Sequence, residues 1–137
     1  MKFCVLALDY DGTMAEHGKA HPAVLDALEE ARTRGIVVVL VTGRILSELR
    51  NVCDDLGIFD AVVAENGAVL AFPNGRTRVL GRPPPPVLMD ELCRSKVDFK
   101  FGDCVLEAEA NAAPRLLKAI QKLELPLVLA FPRRRRG

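Results

Sequence analysis

The chain opens on an apolar run, Phe3 to Leu8, that Asp9 cuts off. A short unbroken run of this kind predicts a strand buried on both faces of a parallel sheet. Pro22 then suits the first turn of a helix whose stripe is Val24, Leu25, Leu28 and Ala31, with Gly35 as a left-handed stop. Ile36 to Val41 is a second buried strand, because its β-branched residues disfavour a helix. The three pieces form a βαβ unit. Its right-handed crossover brings the C-terminal ends of both strands to one edge of the sheet.

Beyond Thr42-Gly43-Arg44, the positions Ile45, Leu49, Val52, Cys53 and Leu56 recur at helical spacing, and Gly57 stops them. Ala61 to Ala64 predicts a third strand. Val69 to Phe72 and Thr77 to Leu80 flank Pro73-Asn74-Gly75, whose Asn-Gly step favours a tight hairpin turn. The α/β core, a Rossmann-like parallel sheet, is therefore expected over residues 1–81. Arg82 and the four prolines after it predict a stiff extended connector over residues 82–86. In residues 87–137, Val87 to Cys93 predicts a short helix and Val105 to Glu109 a one-sided strand. Asn111 is expected to cap a helix with Pro114 in its first turn and Leu116, Leu117, Ile120 and Leu123 along its stripe. Leu127 to Phe131 predicts a last strand, and no internal repeat is visible.

Composition narrows the class. Half of the 137 residues are hydrophobic, which fits an α/β chain that buries one core, or one core and the beginning of a second. The net charge of +1 depends on the run Arg133 to Arg136; without it the body is mildly acidic, which argues against nucleic acid or membrane as a partner. That run reads as an exposed basic tail, or as the product of a shifted or truncated reading frame. Cys4, Cys53, Cys93 and Cys104 lie far apart without a nearby histidine cluster, so they read as small core residues in a reducing compartment. The first apolar run is too short for a signal peptide or membrane span, and a cytoplasmic location is expected.

The chemistry concentrates where the first strand ends. Asp9 and Asp11 stand two apart, which strand alternation would turn to one side at roughly 7 Å between Cα atoms. One carboxylate can attack phosphorus while the other serves the leaving oxygen as acid. Gly12 allows a sharp turn, and its amide with that of Thr13 can donate to phosphoryl oxygens. Two negative groups meeting need a cation between them, and Mg²⁺ suits a few carboxylate oxygens plus water and phosphate. Thr42 ends the neighbouring strand, one βαβ unit later, which sets its hydroxyl beside Asp9 at the open edge. The same string also occurs in ordinary strand-end turns; its position after a buried strand, with Thr42-Gly43-Arg44 after the next, favours the functional reading. Arg44 serves equally as a helix-start residue or a substrate contact. Glu65 is as readily a surface acid as a ligand, and His17 and His21 read as solvated loop histidines.

Leu6-Ala7-Leu8-Asp9-Tyr10-Asp11-Gly12-Thr13 resembles the first motif of the haloacid dehalogenase-like hydrolases, and Val39-Leu40-Val41-Thr42-Gly43-Arg44 resembles the second. Glu65-Asn66-Gly67-Ala68 before a hairpin is similar to subfamily IIB, which inserts a large α/β cap after the second motif. The resemblance covers residues 3–81 and implies a partial α/β cap over residues 87–137. It implies a Mg²⁺-dependent phosphohydrolase working through an aspartyl-phosphate on a small phosphorylated metabolite such as a sugar phosphate. By it, Asp9 is nucleophile and metal ligand, and Asp11 is the acid/base with its backbone carbonyl on the metal. Gly12, Thr13, Thr42, Gly43 and Asn66 serve the substrate's phosphoryl group.

The family's third motif should add a lysine, and its fourth a Gly-Asp with a further acid. Gly102-Asp103 with Glu107 fits the fourth spacing formally, and Lys96 or Lys100 the third. With no apolar strand leading into Gly102 and no helix separating it from those lysines, the match reads as coincidence. The expectation is a chain that ends inside the cap, with weak or absent turnover. The alternatives are an inactive fragment that still binds phosphate or a protein partner, and an enzyme that transfers phosphoryl between sugars.

Overall fold

The computed structural model describes residues 2, 4–16, 19–53 and 56–131. In chain order the elements are β1 (Val5–Asp9), β2 (Ala15–Glu16), β3 (Lys19–Ala20), α1 (Pro22–Thr33), β4 (Val37–Val41), α2 (Leu46–Val52), β5 (Ala61–Ala64), β6 (Val69–Ala71) and β7 (Thr77–Val79). They are followed by α3 (Pro86–Arg94), β8 (Phe99–Phe101), β9 (Leu106–Ala108) and α4 (Ala113–Lys122). The chain divides into two compact units, Met1–Pro83 with Gly102–Val105, and Pro84–Phe101 with Leu106–Gly137.

The first unit is a Rossmann-like α/β layer built on a five-stranded sheet of order β1-β4-β5-β6-β7. The first three strands are parallel, and the β5–β6 and β6–β7 pairs are antiparallel. Both crossovers step the same way along the sheet, so a right-handed connection sends α1 and α2 to one face. There Val38 and Leu40 of β4 pack in a core with Leu28, Leu46, Leu49, Phe59 and Val62. The other face of these strands is exposed, with Val37 at 43% and Val41 at 40%. β1 is an edge strand, and its Val5 is 58% exposed. Burial on both faces, expected for the first two strands, is thus corrected: β4 is buried on one face only, where the helices cover it, and no residue of the edge strand β1 is fully buried.

α1 starts and stops as its sequence dictates, with Pro22 in the first turn and Gly35 at φ 78° beyond the end. His21, read as a solvated loop residue, caps it by accepting the Ala23 N–H at 3.2 Å on Nδ1. α2 ends at Val52 because Cys53 turns extended (φ −110°, ψ 108°), and Leu56 lies instead in a separate turn of 3₁₀ helix, Leu56–Ile58. The β6–β7 turn holds Gly75 at φ 81°, with Phe72 N–H donating to the Arg76 carbonyl, a three-residue loop that only glycine fits without strain.

In the second unit α3 and α4 pack with the β8–β9 hairpin around Leu88, Leu92, Val97, Leu116 and Ile120. Pro86 begins α3 instead of ending the connector, since proline is well suited to a helix's first position. Asn111 does not cap α4: it lies in the 3₁₀ turn Ala110–Ala112, and Ala112 precedes the helix with no side-chain cap. Leu127 to Phe131 forms no strand, and Val128 there is 90% exposed. β8 was missed by the sequence reading. His17 and the run Arg133 to Arg136 lie outside the described residues. Among the described residues, no helix is long and apolar enough to cross a membrane.

Candidate active site

The parallel register pairs Asp9 with Val41, so Thr42 stands one residue beyond, on the same sheet edge. β1 ends at Asp9. Tyr10 then turns inward, fully buried, and its hydroxyl donates to the Val52 carbonyl at 3.3 Å. That anchor leaves exposed Asp9 and half-buried Asp11 on either side of a core residue. Gly12 takes φ 70°, and its amide donates to the Ala15 carbonyl at 3.0 Å. The Gly12 N–H, expected for phosphoryl oxygens, therefore closes the turn, whereas Thr13 is exposed.

Thr42 is buried, and its N–H donates to the Val63 carbonyl at 2.8 Å. Its Oγ1 accepts the Arg44 N–H at 3.1 Å, and the hydroxyl keeps a proton to donate elsewhere. The Arg44 guanidinium forks onto Asp11, Nε to Oδ2 at 2.8 Å and Nη2 to Oδ1 at 2.7 Å. It also lies 5.9 Å from the centroid of the Tyr10 ring. The Asp11 hydrogen bond pushes the Arg44 pKa above its ordinary value, against the opposing effect of burial. The sequence reading had left Arg44 undecided.

The turn after β5 is stitched to the turn after β4. Glu65 N–H donates to the Arg44 carbonyl at 3.0 Å and Asn66 N–H to the Thr42 carbonyl at 3.4 Å. Both residues adopt left-handed backbone, φ 52° and 57°, which costs a side-chain-bearing residue about 1 kcal/mol or more each. A Cβ on Gly43 would stand 2.7 Å from Asn66 Oδ1, so Gly43 is what lets that carboxamide lie over the Thr42 turn.

Glu65 is neither a surface acid nor a ligand facing solvent. It is 1% exposed, and its carboxylate accepts the N–H groups of Asp103, Cys104 and Val105 at 3.3, 2.8 and 3.1 Å. A Cβ on Gly102 would fall 2.4 Å from Glu65 Oε1, so the glycine clears space for this cradle. Gly102-Asp103 thus has a structural task, and Glu107 of β9 sits opposite Lys100. A strand, β8, does lead into Gly102, contrary to expectation; it is half of a hairpin, not of a βα unit. Burial raises the Cys104 thiol's pKa, and a bond from Gly81 partly offsets it.

A sequence profile for haloacid dehalogenase-like hydrolases matches residues 6–92. The chain belongs to this family. It is similar to a phosphoglycolate phosphatase of Aeropyrum pernix, 41% identical over 86 residues that cover 58% of this chain and 35% of the relative. It is also similar to a glucosyl-3-phosphoglycerate/mannosyl-3-phosphoglycerate phosphatase of Persephonella marina, 33% identical over 72 residues, 52% of this chain and 27% of the relative. Among solved structures it is similar in fold to a subclass IIB sugar phosphatase, with TM-score 0.52 and 22% identity over 74% of this chain and 42% of the other. The chain thus spans about a third or less of the curated relatives it matches.

As a donor set for the divalent cation of this family, the sheet edge offers the exposed Asp9 carboxylate and the backbone carbonyl of Asp11. Among the described residues no group of three or more His, Cys, Asp or Glu gathers. Mg²⁺ is commonly held by one or two protein groups, with water and phosphate completing the shell, and this pair meets that minimum.

Proposed function

We propose that this chain carries the phosphoryl-accepting half of a Mg²⁺-dependent phosphatase that works through an aspartyl-phosphate at Asp9. The observation that supports the reading is the Asp9–Val41 register, by which Asp9 and Thr42 end neighbouring parallel strands at the same edge of the sheet. An Asp9 oxygen bonds to phosphorus as the ester P–O bond breaks, and Asp11 delivers a proton to the departing alkoxide. Asp11 then takes a proton from water as that water attacks phosphorus, releasing phosphate and restoring Asp9. Thr42 donates its hydroxyl proton to a phosphoryl oxygen, with Gly43, Asn66 and the Thr13 amide alongside, and Gly12 shapes the approach. Asp9 and the Asp11 carbonyl hold the cation, which when bound neutralises charge between carboxylate and phosphate.

The substrate in this reading is a small phosphorylated metabolite of the sugar-phosphate kind, in keeping with the named activities of the relatives. The second unit, from residue 84 onward, is then the start of a substrate-selecting cap, and the protein works in the cytoplasm. A second reading, phosphate binding without turnover, is favoured by the Arg44 fork, because both Asp11 oxygens are engaged. The deciding test is Mg²⁺-dependent hydrolysis of a generic aryl phosphate by the chain and by Asp9→Asn. Loss in the variant is the expected result, and hydrolysis that survives it removes the nucleophile assignment. Inactivity of both proteins, with phosphate still bound, selects the second reading.

A further inference from the structure

We propose that Arg44 is a shared cation of this site: it pairs with Asp11 when no substrate is present and moves onto the phosphoryl group when one binds. The inference rests on the reading of Asp9, Asp11 and Thr42 as a phosphoryl site. Arg44 follows Thr42 by two residues, and its main chain is fixed from both sides, by the Thr42 hydroxyl on its N–H and by Glu65 on its carbonyl. The backbone is therefore held while the side chain reaches to the Asp11 end of the edge. The Arg44 side chain is 32% exposed and that of Asp11 49%, so the pair is open to an anion from solvent.

Two donors of the guanidinium are spent on Asp11. Arginine carries five in a planar fork, a geometry that carboxylate and phosphate oxygens both match. A phosphoryl dianion at Asp9 brings more charge than the single carboxylate, so it competes for the same fork. The exchange does two things at once. It neutralises the arriving phosphoryl group, and it frees the Asp11 carboxylate, no longer held ionised by the guanidinium, to take up a proton from solvent and pass it to the leaving group. The fork seen against Asp11 is the substrate-free partner of a cation whose substrate-bound partner is phosphate, and Arg44 is accordingly a binding residue of this site.

The test reads binding alone, with inorganic phosphate titrated calorimetrically in the presence of Mg²⁺, and so does not depend on whether Asp9 turns anything over. Arg44→Ala should weaken phosphate binding at least tenfold, and Arg44→Lys should recover part of that loss. Asp11→Asn should tighten binding severalfold in the presence of Arg44 and have a much smaller effect in the Arg44→Ala background, a coupling that a merely structural arginine does not produce. Melting temperatures of all variants check that the fold is intact. Equal phosphate affinity in Arg44→Ala and the unaltered chain, the same Asp11→Asn effect in both backgrounds, or no phosphate binding by the unaltered chain would each overturn the proposal. Failure of hydrolysis with this binding pattern intact would count against Asp9 and leave Arg44 in place.

Discussion

Two loops of the first unit are built from the same residue types, acid beside glycine, and differ in where their polar groups go. In Asp9-Tyr10-Asp11-Gly12 the backbone closes on itself, with the Met14 and Ala15 amides on the Tyr10 carbonyl and the Gly12 amide on Ala15. The carboxylates stay accessible, with Asp9 exposed and Asp11 paired to a partly exposed arginine. In Gly102-Asp103-Cys104-Val105 the Gly102 amide closes on the Val105 carbonyl, but those of Asp103, Cys104 and Val105 converge on the buried Glu65. The comparison teaches that an Asp-Gly string keeps its carboxylates accessible when its backbone donors satisfy one another, and becomes a strut when most of them are taken by an internal carboxylate.

Several measurements break or sharpen that contrast. The largest effect is expected on turnover: Asp9→Asn should lower aryl phosphate hydrolysis about thousandfold or more, as loss of a nucleophile does. Asp103→Asn, in the other loop, should stay within about twofold, because its carboxylate has no part in either reading. Equal losses from the two would mean that the loops had been assigned the wrong way round. Next comes stability: Glu65→Ala removes the acceptor of three part-buried N–H groups and should cost about 1–3 kcal/mol in a urea titration. A cost near zero would mean that the cradle contributes nothing to the fold.

Comparable in size is Gly102→Ala, which presses a methyl group into the Glu65 carboxylate and should cost about 1–3 kcal/mol. Gly75→Ala, strained only by its φ of 81° with open space around it, should cost about 1 kcal/mol. The mildest effect concerns Glu91 in the second unit, where a lysine replaces the amide cradle. The hydrogen bond from Lys122 holds the Glu91 carboxyl below its ordinary value of 4.5, against the opposing effect of burial. Because the folded value is depressed, its contribution to stability is present above the ordinary value and is lost as pH falls through the folded one. Lys122→Met should therefore narrow the gap between stability at neutral and at strongly acid pH, measured by thermal melts at both. An unchanged gap would rule out this pair as a source of acid sensitivity.

Most of the first unit was legible because its signals are local. Pro22 and Gly35 bracket α1, and β-branched residues mark β4. The Thr42-Gly43-Arg44 turn follows the end of β1 by the length a βαβ unit requires. Where local signals were weak or competing, the reading failed: the Phe99-Lys100-Phe101 strand is too short to show a period, and Asn111 was outbid by a 3₁₀ turn that tertiary packing supports. Apolar runs also say nothing about how many faces are covered, which is why β1 and β4 are less buried than their sequences predict.

The site divides the same way. Asp9, Asp11 and Thr42 were visible from strand ends and spacing. The Arg44 fork joins positions 33 apart in sequence and the Glu65–Cys104 bond joins positions 39 apart, and no periodicity reports a pairing at that range. Positive φ at Glu65 and Asn66 offered the nearest sequence clue, since Asn-Gly steps tolerate left-handed backbone, but that marks a bend and not a partner.

The clearance at Gly102 also orders the mutational paths open to this loop. While Glu65 keeps its length, position 102 is closed to any side chain, since even a methyl carbon would lie 2.4 Å from its oxygen. Shorten residue 65 first and the same change loses its obstacle, so the two positions are expected to vary as a pair and in one preferred sequence of steps.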